Sequence, residues 1–140
     1  MQFGLSEEQI LLQDNVKRFL NDNVALERVR KYAEGNSDAD IWAGLSELGI
    51  AALLIPEEFG GIGMSTLDAA VVAECLGSNV APTPFLGSAV MAPTALIASG
   101  GDHGEMLAQL AAGTHRIGIA FGEAIKRRNS AGLEVSNGRM

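Results

Sequence analysis

An apolar run that breaks at a proline and then passes three glycines organises this chain: Leu53-Leu54-Ile55-Pro56-Glu57-Glu58-Phe59-Gly60-Gly61-Ile62-Gly63-Met64-Ser65. The chain must turn at Pro56, because proline lacks a backbone donor and restricts the residue before it. The glycines permit positive φ angles and a close approach of the backbone. Ser65 can then cap a new helix together with Asp68, three residues further on. The run therefore predicts a buried segment, a tight loop and the start of a helix.

Glycine-rich loops in front of helices also bind phosphate groups, so two nucleotide-binding motifs are relevant. A P-loop has Lys followed by Ser or Thr after its last glycine, whereas Gly63 is followed by Met64. A dinucleotide-binding fingerprint that began at Gly61 would have its third glycine at the position of Thr66. Both motifs fit poorly, and the sequence favours a tight loop between packed segments.

The composition indicates one globular domain. The chain has 140 residues, of which 47% are apolar and 19% charged, which is enough for a sizeable core. Its net charge of −7 disfavours nucleic acid and anionic membranes as partners. No apolar run reaches the length of about 18 residues typical of a membrane helix, and the N-terminus lacks the pattern of a signal peptide. We therefore expect a cytoplasmic protein without a membrane partner.

The residues that most often ligate metals are few and scattered. His103 and His115 lie far apart and have no Cys or carboxylate at ligand spacing, so no metal site is expected. Cys75 is the single cysteine, and it lies within an apolar helical pattern. We interpret it as a core residue in a protein without disulfides.

Capping signals and apolar periodicity predict helices on both sides of the glycine-rich loop. Ser6 and Gln9 form a capping box, with Leu5 and Ile10 as a hydrophobic staple. The mixed charges of residues 27–34 favour an exposed turn or a short helix. The predicted inward-facing residues of the first helix and of the next long one are Leu12, Val16, Phe19, Leu20, Ile41, Leu45 and Leu48. We expect the second of these helices to begin near Ser37 or Asp38 and to end at Gly49, and Trp42 to serve packing.

The helix that starts after Ser65 is apolar on almost every side, which predicts a central buried helix. Glu74 is the exception. An isolated buried charge is costly, so we expect Glu74 to be paired, and we favour a structural ion pair over a catalytic base.

Two further helices are predicted before the pattern changes. Thr83 and Pro84 provide a cap and a first-turn proline for one helix, which Pro93 must kink or split. Small residues along it, such as Gly87 and Ser88, leave room for another helix or for something apolar. Asp102 with Glu105 is expected to open the last helix, with Met106, Leu107 and Leu110 facing inward and Gly113 at its end.

The end of the chain has strand character. Residues 116–121 and 133–136 are predicted strands, and Asn137-Gly138 is a strong hairpin signal. Two residues follow it, and a hairpin without its return strand leaves backbone groups unpaired, so we expect a truncated protein. The predicted domains are 1–113, which is helical, and 114–140, the start of a β-domain.

The motifs together resemble the acyl-CoA dehydrogenase family. The resemblance covers nearly the whole chain and rests on Pro56–Ser65, the helix through Ala73–Gly77, Leu5–Gln9, Leu48-Gly49 and Leu110–Gly113. It implies a mainly α fold, the N-terminal helical domain of that family, followed by the beginning of a β-barrel domain. It also implies that the helices around Pro93 form one wall of an acyl pocket, with Phe85, Leu86, Ala89 and Val90 as substrate-binding residues. Close helix packing remains the alternative for these four.

The family oxidises an acyl-CoA to the trans-2-enoyl-CoA: a glutamate removes the α-proton and FAD accepts the β-hydride. The resemblance places that glutamate in a later domain, so we expect no catalytic residue in this chain and no activity from the chain alone. It assigns Phe121, Gly122 and Glu123 to the cofactor. However, Gly122 replaces the family's hydroxyl residue, and Lys126–Asn129 replaces its glycine-serine-aspartate turn. Arg127 and Arg128 are candidate ligands of the CoA phosphates, although a solvated loop explains them too.

Three functions remain open from the sequence. The first is part of a flavin-dependent acyl-CoA dehydrogenase, in a homo- or hetero-oligomer, with electron-transfer flavoprotein as the electron acceptor. The stretch Ala81-Pro82-Thr83-Pro84-Phe85 resembles members with paired subunits, among which sterol side chains occur as substrates. The second is a non-catalytic helical interaction subunit, and the third is a flavin monooxygenase of the same fold.

Overall fold

The computed structural model describes residues 4–35, 37 and 39–120. This part of the chain is helical and contains six α-helices, two short 3₁₀-helices and one π-helix. The 3₁₀-helices are Ile50–Ala52 and Glu57–Phe59, and the π-helix is Phe85–Met91. The α-helices are α1 (Glu7–Asn23), α2 (Leu26–Ala33), α3 (Ala39–Glu47), α4 (Thr66–Ser78), α5 (Ala92–Ser99) and α6 (Gly104–Ala111).

The first helix begins as its capping box predicts. The Ser6 backbone N–H donates to Gln9 Oε1 at 3.0 Å, and the Gln9 backbone N–H donates to Ser6 Oγ at 3.2 Å. Two donors that the first turn would otherwise leave unpaired are thereby satisfied. Val16 and Leu20 are buried on the inner face, with Leu12 and Phe19 packed against the same core.

The glycine-rich loop folds back on the apolar segment before it. The backbone N–H groups of Ile62, Gly63 and Met64 donate to the carbonyls of Ala52, Ile55 and Leu53 at 3.0, 2.8 and 2.8 Å. A Cβ atom at Gly61 would lie 1.8 Å from the carbonyl oxygen of Ile55, so only glycine fits there. Because these donors bond to the chain itself, they are not available to cradle a phosphate. The predicted tight loop is confirmed.

Asp68 links the start of α4 to α1. Its carboxylate accepts from the Ser65 backbone N–H at 2.8 Å, from the Ser65 hydroxyl at 2.6 Å and from Gln9 Nε2 at 2.9 Å. These bonds lower the pKa of Asp68, the Ser65 hydroxyl contributing most. The predicted partnership of Ser65 with Asp68 is confirmed, and Gln9 joins it from 59 residues away in sequence.

The expectation that α4 is buried all round is wrong. Its inner face is buried, but Leu67 is 58% exposed, and Glu74 is exposed as well. Glu74 therefore avoids desolvation, and the predicted buried ion pair at this residue is also wrong. The buried residues of the inner face are Ala69, Val71, Val72, Cys75 and Leu76. Burial raises the pKa of the Cys75 thiol, which fits its expected role as a core residue.

The buried side chains form two groups, and the apolar segment before the glycine-rich loop contributes to both. The larger joins α1, α3, α4 and the π-helix, and its largest members include Trp42, Leu20 and Leu45. The smaller joins the loop to α5 and α6 through Ala52, Ile55, Ala92, Leu107, Leu110 and Ala111. Trp42 Nε1 donates to the carbonyl of Gly113 at 3.0 Å, so its predicted packing role is confirmed and it also anchors the end of α6.

The two glycine helix ends are predicted correctly, but the start of α6 is not. Gly49 (φ +81°) follows α3 and Gly113 (φ +70°) follows α6, both as expected. By contrast, α6 starts at Gly104, and its N-cap residue is His103, which makes no capping side-chain hydrogen bond. The predicted Asp102 cap is therefore wrong. Leu48, expected to be buried, is 43% exposed because α3 ends one residue before it.

The predicted strand beginning at Arg116 is not formed within the described residues. Residues 114–120, called here the extended segment, have no regular secondary structure and lie against the π-helix. The remainder of that strand, the second strand and the Asn137-Gly138 turn lie outside the described residues. Among the described helices, none is both long and apolar enough to cross a membrane.

Candidate functional site

The predicted pocket residues lie on the seven-residue π-helix, which leads directly into α5. The Ala92 backbone N–H donates to the carbonyl of Gly87, five residues earlier, and Pro93 lies in the first turn of α5. Pro93 was expected to kink or split the helix; the backbone stays right-handed helical through Met91 and Ala92, and the helix type changes from π to α there. π-Helical turns are common at functional sites, so the residues around this one are candidate site residues.

A buried serine joins the π-helix to the extended segment. Ser88 is 1% exposed, and it is the one polar side chain classed as buried among the described residues. Its hydroxyl accepts from the Ile117 backbone N–H at 2.9 Å and lies 3.2 Å from the Ile117 carbonyl oxygen, to which it donates. One side chain therefore satisfies both backbone groups of a residue that has no strand partner in the described part of the chain.

Gly87 allows this close contact. A Cβ atom at that position would lie 2.8 Å from the carbonyl oxygen of Ile117, closer than side-chain carbons approach other atoms. The extended segment therefore lies directly on the backbone of the π-helix. Gly87 and Ser88 together form the contact surface.

A groove of about 250 Å³ follows this contact. One side consists of Leu86 and the loop residues before it, and the other consists of the extended segment. The lining residues are Thr83, Pro84, Leu86, Gly87, Ser88, Arg116, Ile117 and Gly118. Leu86 is 63% exposed, a large apolar side chain that the described residues leave uncovered.

The four predicted pocket residues do not share one cavity. Phe85 and Ala89 point into the larger core and are 4% and 0% exposed. Val90 is partly buried against the same core, and Leu86 alone of the four lines the groove. Their positions fit the helical period, which turns residues 85 and 89 to one face and residue 86 to another.

The predicted cofactor and CoA residues lie outside the described residues. These are Phe121, Gly122, Glu123, Arg127 and Arg128. The residues just before them are described, and Ile117 among them donates a hydrogen bond to Ser88 of the π-helix.

Sequence reasoning did not find the pairing of Ser88 with Ile117. The signal was present in part, because the small residues Gly87 and Ser88 predict a close neighbour for this helix. The neighbour was expected to be another helix or a ligand, and it is an extended segment of the same chain, 29 residues away.

An apolar hollow and a polar side-chain pair elsewhere in the described chain could also be considered as functional sites. An apolar hollow of about 430 Å³ lies between α2 and the end of α4, beside Val80, whose φ of +50° is unusual for a β-branched residue. Ser99 and His103 form a 2.7 Å hydrogen bond, but the Ser99 hydroxyl also donates to the Leu96 carbonyl, as in a helix end. In the part of the chain described, no group of three His, Cys, Asp or Glu side chains could hold a metal ion.

The family model for the acyl-CoA dehydrogenase N-terminal domain matches residues 6–114, which include all six α-helices and the side of the groove formed by residues 83–88, while the opposite side, residues 116–118, lies beyond the match. The chain belongs to the acyl-CoA dehydrogenase family. Ser88 and the π-helix therefore lie within the part of the chain that matches the family's N-terminal domain.

Curated relatives carry dehydrogenase names. Acyl-CoA dehydrogenase IpdE2 of Mycolicibacterium smegmatis is 43% identical over 112 residues, which is 78% of this chain and 35% of the relative. The protein of the same name from Mycobacterium tuberculosis is 35% identical over 111 residues, covering 77% of this chain and 35% of the relative. A (2S)-methylsuccinyl-CoA dehydrogenase of Cereibacter sphaeroides is 34% identical over 76% of this chain and 20% of its own length.

A solved structure supports the same fold. The ChsE4–ChsE5 complex from Mycobacterium tuberculosis matches with a TM-score of 0.67 and 26% identity, over 81% of this chain and 30% of that one. The chain spans about a third of the length of the two IpdE2 relatives.

Proposed function

We propose that the full-length gene product is an FAD-dependent acyl-CoA dehydrogenase that oxidises an acyl-CoA thioester to the trans-2-enoyl-CoA. The observation that carries the proposal is the match to the family's N-terminal domain over residues 6–114. It is supported by Leu86, one of the four residues expected in the acyl-pocket wall, which lines the groove beside the π-helix. The names of the relatives support a dehydrogenase-type function in general.

The role of this chain in the reaction is to hold part of the acyl group. Leu86 offers an apolar surface, while Phe85 and Ala89 fix the helix in the core and are covered by it. A groove of about 250 Å³ is below the range of roughly 300–1,000 Å³ typical of complete ligand sites. It therefore accommodates a segment of acyl chain, and other parts of the protein must contact the rest.

The reactive groups are proposed elsewhere. FAD, when bound, supplies the hydride acceptor, and we assign Phe121, Gly122 and Glu123 to its site and Arg127 and Arg128 to the CoA phosphates, by resemblance alone. A glutamate in a later domain removes the α-proton. Holding acyl chain, base and cofactor in one geometry converts a difficult encounter into a unimolecular step.

The domain boundary and the assembly follow the same reasoning. We place the boundary at 113/114, because Gly113 follows α6 and residues 114–120 have no regular secondary structure. Subunit contacts are proposed for Leu11 of α1, a large apolar side chain that is 62% exposed in the described chain. The matched structure is a complex of two named proteins, which supports a homo- or hetero-oligomer. We propose a cytoplasmic enzyme that passes electrons to an electron-transfer flavoprotein.

A second candidate is a subunit of such an assembly that does not itself bind FAD. It is favoured by Gly122 in place of a hydroxyl residue and by the basic turn at Lys126–Asn129. In that case the acyl-binding role of the helical domain could persist while a partner subunit carries the flavin.

The test is to add a series of acyl-CoA thioesters to the purified full-length gene product without oxygen and to record the visible flavin absorbance. We expect bleaching by at least one thioester and formation of the corresponding enoyl-CoA. Bleaching that needs a partner subunit would favour the second candidate. In a parallel assay with a reduced nicotinamide and oxygen, flavin reduction by the nicotinamide and oxygen insertion into the substrate would indicate the monooxygenase. A flavin inert in both assays would contradict the proposal.

A further inference from the structure

The position of the extended segment is set by a side chain. Within the described residues, Thr114 and His115 donate to the carbonyl of Gln109 at 3.2 and 3.3 Å, which closes α6. Ile117 then exchanges hydrogen bonds with the Ser88 hydroxyl. In a sheet, a ladder of backbone bonds fixes the register of a strand, whereas here the Ser88 hydroxyl bonds the backbone of Ile117 while Ile117 and Ile119 pack against the smaller core.

The hydroxyl is well suited to this task. Ser88 is 1% exposed, so water competes little for its hydrogen bonds. Its removal would leave a backbone N–H and a carbonyl of Ile117 without their partner, and unpaired backbone groups in a shielded position are costly. The segment would then move toward water or toward another partner.

Such a movement would change the groove. Ile117 and its neighbours Arg116 and Gly118 form the side opposite Leu86 and Pro84. Gly87 brings the Ile117 carbonyl against the helix backbone, so the segment has no room to move inward. Displacement therefore widens the groove.

We propose that Ser88 is a positioning residue that sets the width of the acyl groove by holding Ile117, and that it thereby determines which acyl chains are accepted. Ser88 acts through Ile117, because its own hydroxyl is buried and fully engaged. The specificity part of this proposal rests on the proposed dehydrogenase function. The holding of Ile117 does not.

The experiment compares Ser88→Ala with three other variants of the full-length gene product. Gly87→Ala keeps the hydroxyl but places a methyl group against the Ile117 carbonyl, so it should displace the segment by a different route. Ser78→Ala is the matched control, because Ser78 is exposed and its hydroxyl donates to the carbonyl of Glu74 within α4. Val16→Ala destabilises the larger core without touching the groove.

Two readouts are needed. Hydrogen exchange of the peptide containing residues 114–120 reports whether the Ile117 amide has lost its partner. Kinetics with short, long and branched acyl-CoA thioesters report specificity. We expect Ser88→Ala and Gly87→Ala to speed exchange in this peptide and to shift the ratio of kcat/KM between bulky and short thioesters by roughly tenfold, mostly through KM. Ser78→Ala and Val16→Ala should leave that ratio unchanged.

The outcomes test the two parts of the proposal separately: that Ser88 holds Ile117, and that this contact determines which acyl chains are accepted. Unchanged exchange in both groove variants would overturn the holding of Ile117, and faster exchange with an unchanged substrate ratio would overturn the specificity role. If Ser88→Ala does not fold, Gly87→Ala decides both points. A wild-type protein that oxidises no acyl-CoA would overturn the proposed function and the specificity role with it, while the exchange data would still decide whether Ser88 holds Ile117.

Discussion

Gly61 is the residue at which the fold tolerates least change. A Cβ atom there would lie 1.8 Å from the Ile55 carbonyl oxygen, and backbone atoms cannot give way as a flexible side chain can. We expect Gly61→Ala to lower the free energy of unfolding by at least about 2 kcal/mol, because overpacking forces the loop to shift.

Gly77 provides the matched control in urea-unfolding measurements. It lies in α4 with open space where a Cβ would be added, so Gly77→Ala should be neutral or stabilise by about 0.5–1 kcal/mol. Equal unfolding midpoints for the two variants would contradict the close contact between Gly61 and Ile55.

Asp68 should make stability depend on pH in a defined window. Its folded-state pKa lies below the ordinary value of 3.8, chiefly through the Ser65 hydroxyl and then through Gln9. A lowered pKa stabilises the fold above the unfolded-state pKa, and this contribution disappears as the pH falls through the folded-state value. The stability advantage of wild type over Asp68→Asn should therefore be full above about pH 5 and vanish in stronger acid.

Thermal unfolding at a series of pH values measures this effect. Ser65→Ala removes the Ser65 hydroxyl, the donor that lowers the pKa of Asp68 most, and leaves the bond from Gln9. In a protein that carries Ser65→Ala, the loss of stability caused by Asp68→Asn should therefore be smaller than in wild type. A difference between wild type and Asp68→Asn that persists unchanged at low pH would show that the carboxylate charge is not its cause.

Local residue pairs were predictable, and distant ones were not. Ser6 with Gln9 and Ser65 with Asp68 are three residues apart, so helix geometry alone brings them together. Ser88 and Ile117 are 29 residues apart, and their meeting depends on how α5 and α6 fold back. The sequence showed only that small side chains at residues 87 and 88 leave space.

At the scale of the elements, α4 shows that an apolar composition does not imply burial on every side of a helix. Glu74 lies on its exposed face, so Glu74→Gln should change the free energy of unfolding by less than about 0.5 kcal/mol. Val72 lies on the same helix and is 0% exposed, so Val72→Ala should cost about 2 kcal/mol through lost burial and a residual cavity. Chemical denaturation of both variants compares them directly. A large loss for Glu74→Gln would restore the buried ion pair that the sequence suggested.

The error over α4 has a simple physical origin. Apolar residues on all sides of a helix predict burial on all sides, but several of these residues are alanines, whose single methyl group gains little free energy from burial. Leu67, Ala70 and Ala73 are exposed in the described chain, and the hydrophobic pattern alone cannot say what covers them. Glycine-ended helices were predicted more reliably, because Gly49 and Gly113 adopt the left-handed conformation that few other residues accept.

At the scale of the whole molecule, the helical part could be predicted, but the strand expected from Arg116 does not form within the described residues. Capping boxes begin α1 and α4, and Gly49 and Gly113 follow α3 and α6, signals that the sequence displays. The predicted strand at Arg116 instead lies on the π-helix as an extended segment within the described residues. Strand propensity needs a neighbouring strand to act on, since it reflects packing against cross-strand partners.

The groove links this domain to the proposed reaction, and Leu86 is its most exposed apolar residue. The decisive measurement is the kcat/KM profile of Leu86→Ala and Leu67→Ala in the full-length gene product, over acyl-CoA thioesters of increasing length and branching. Both variants remove an exposed leucine, but only Leu86 lines the groove. We predict that Leu86→Ala shifts the preference toward bulkier acyl groups by roughly tenfold, while Leu67→Ala keeps the wild-type profile. An active, folded Leu86→Ala enzyme with the wild-type profile would contradict the assignment of this groove to the acyl chain.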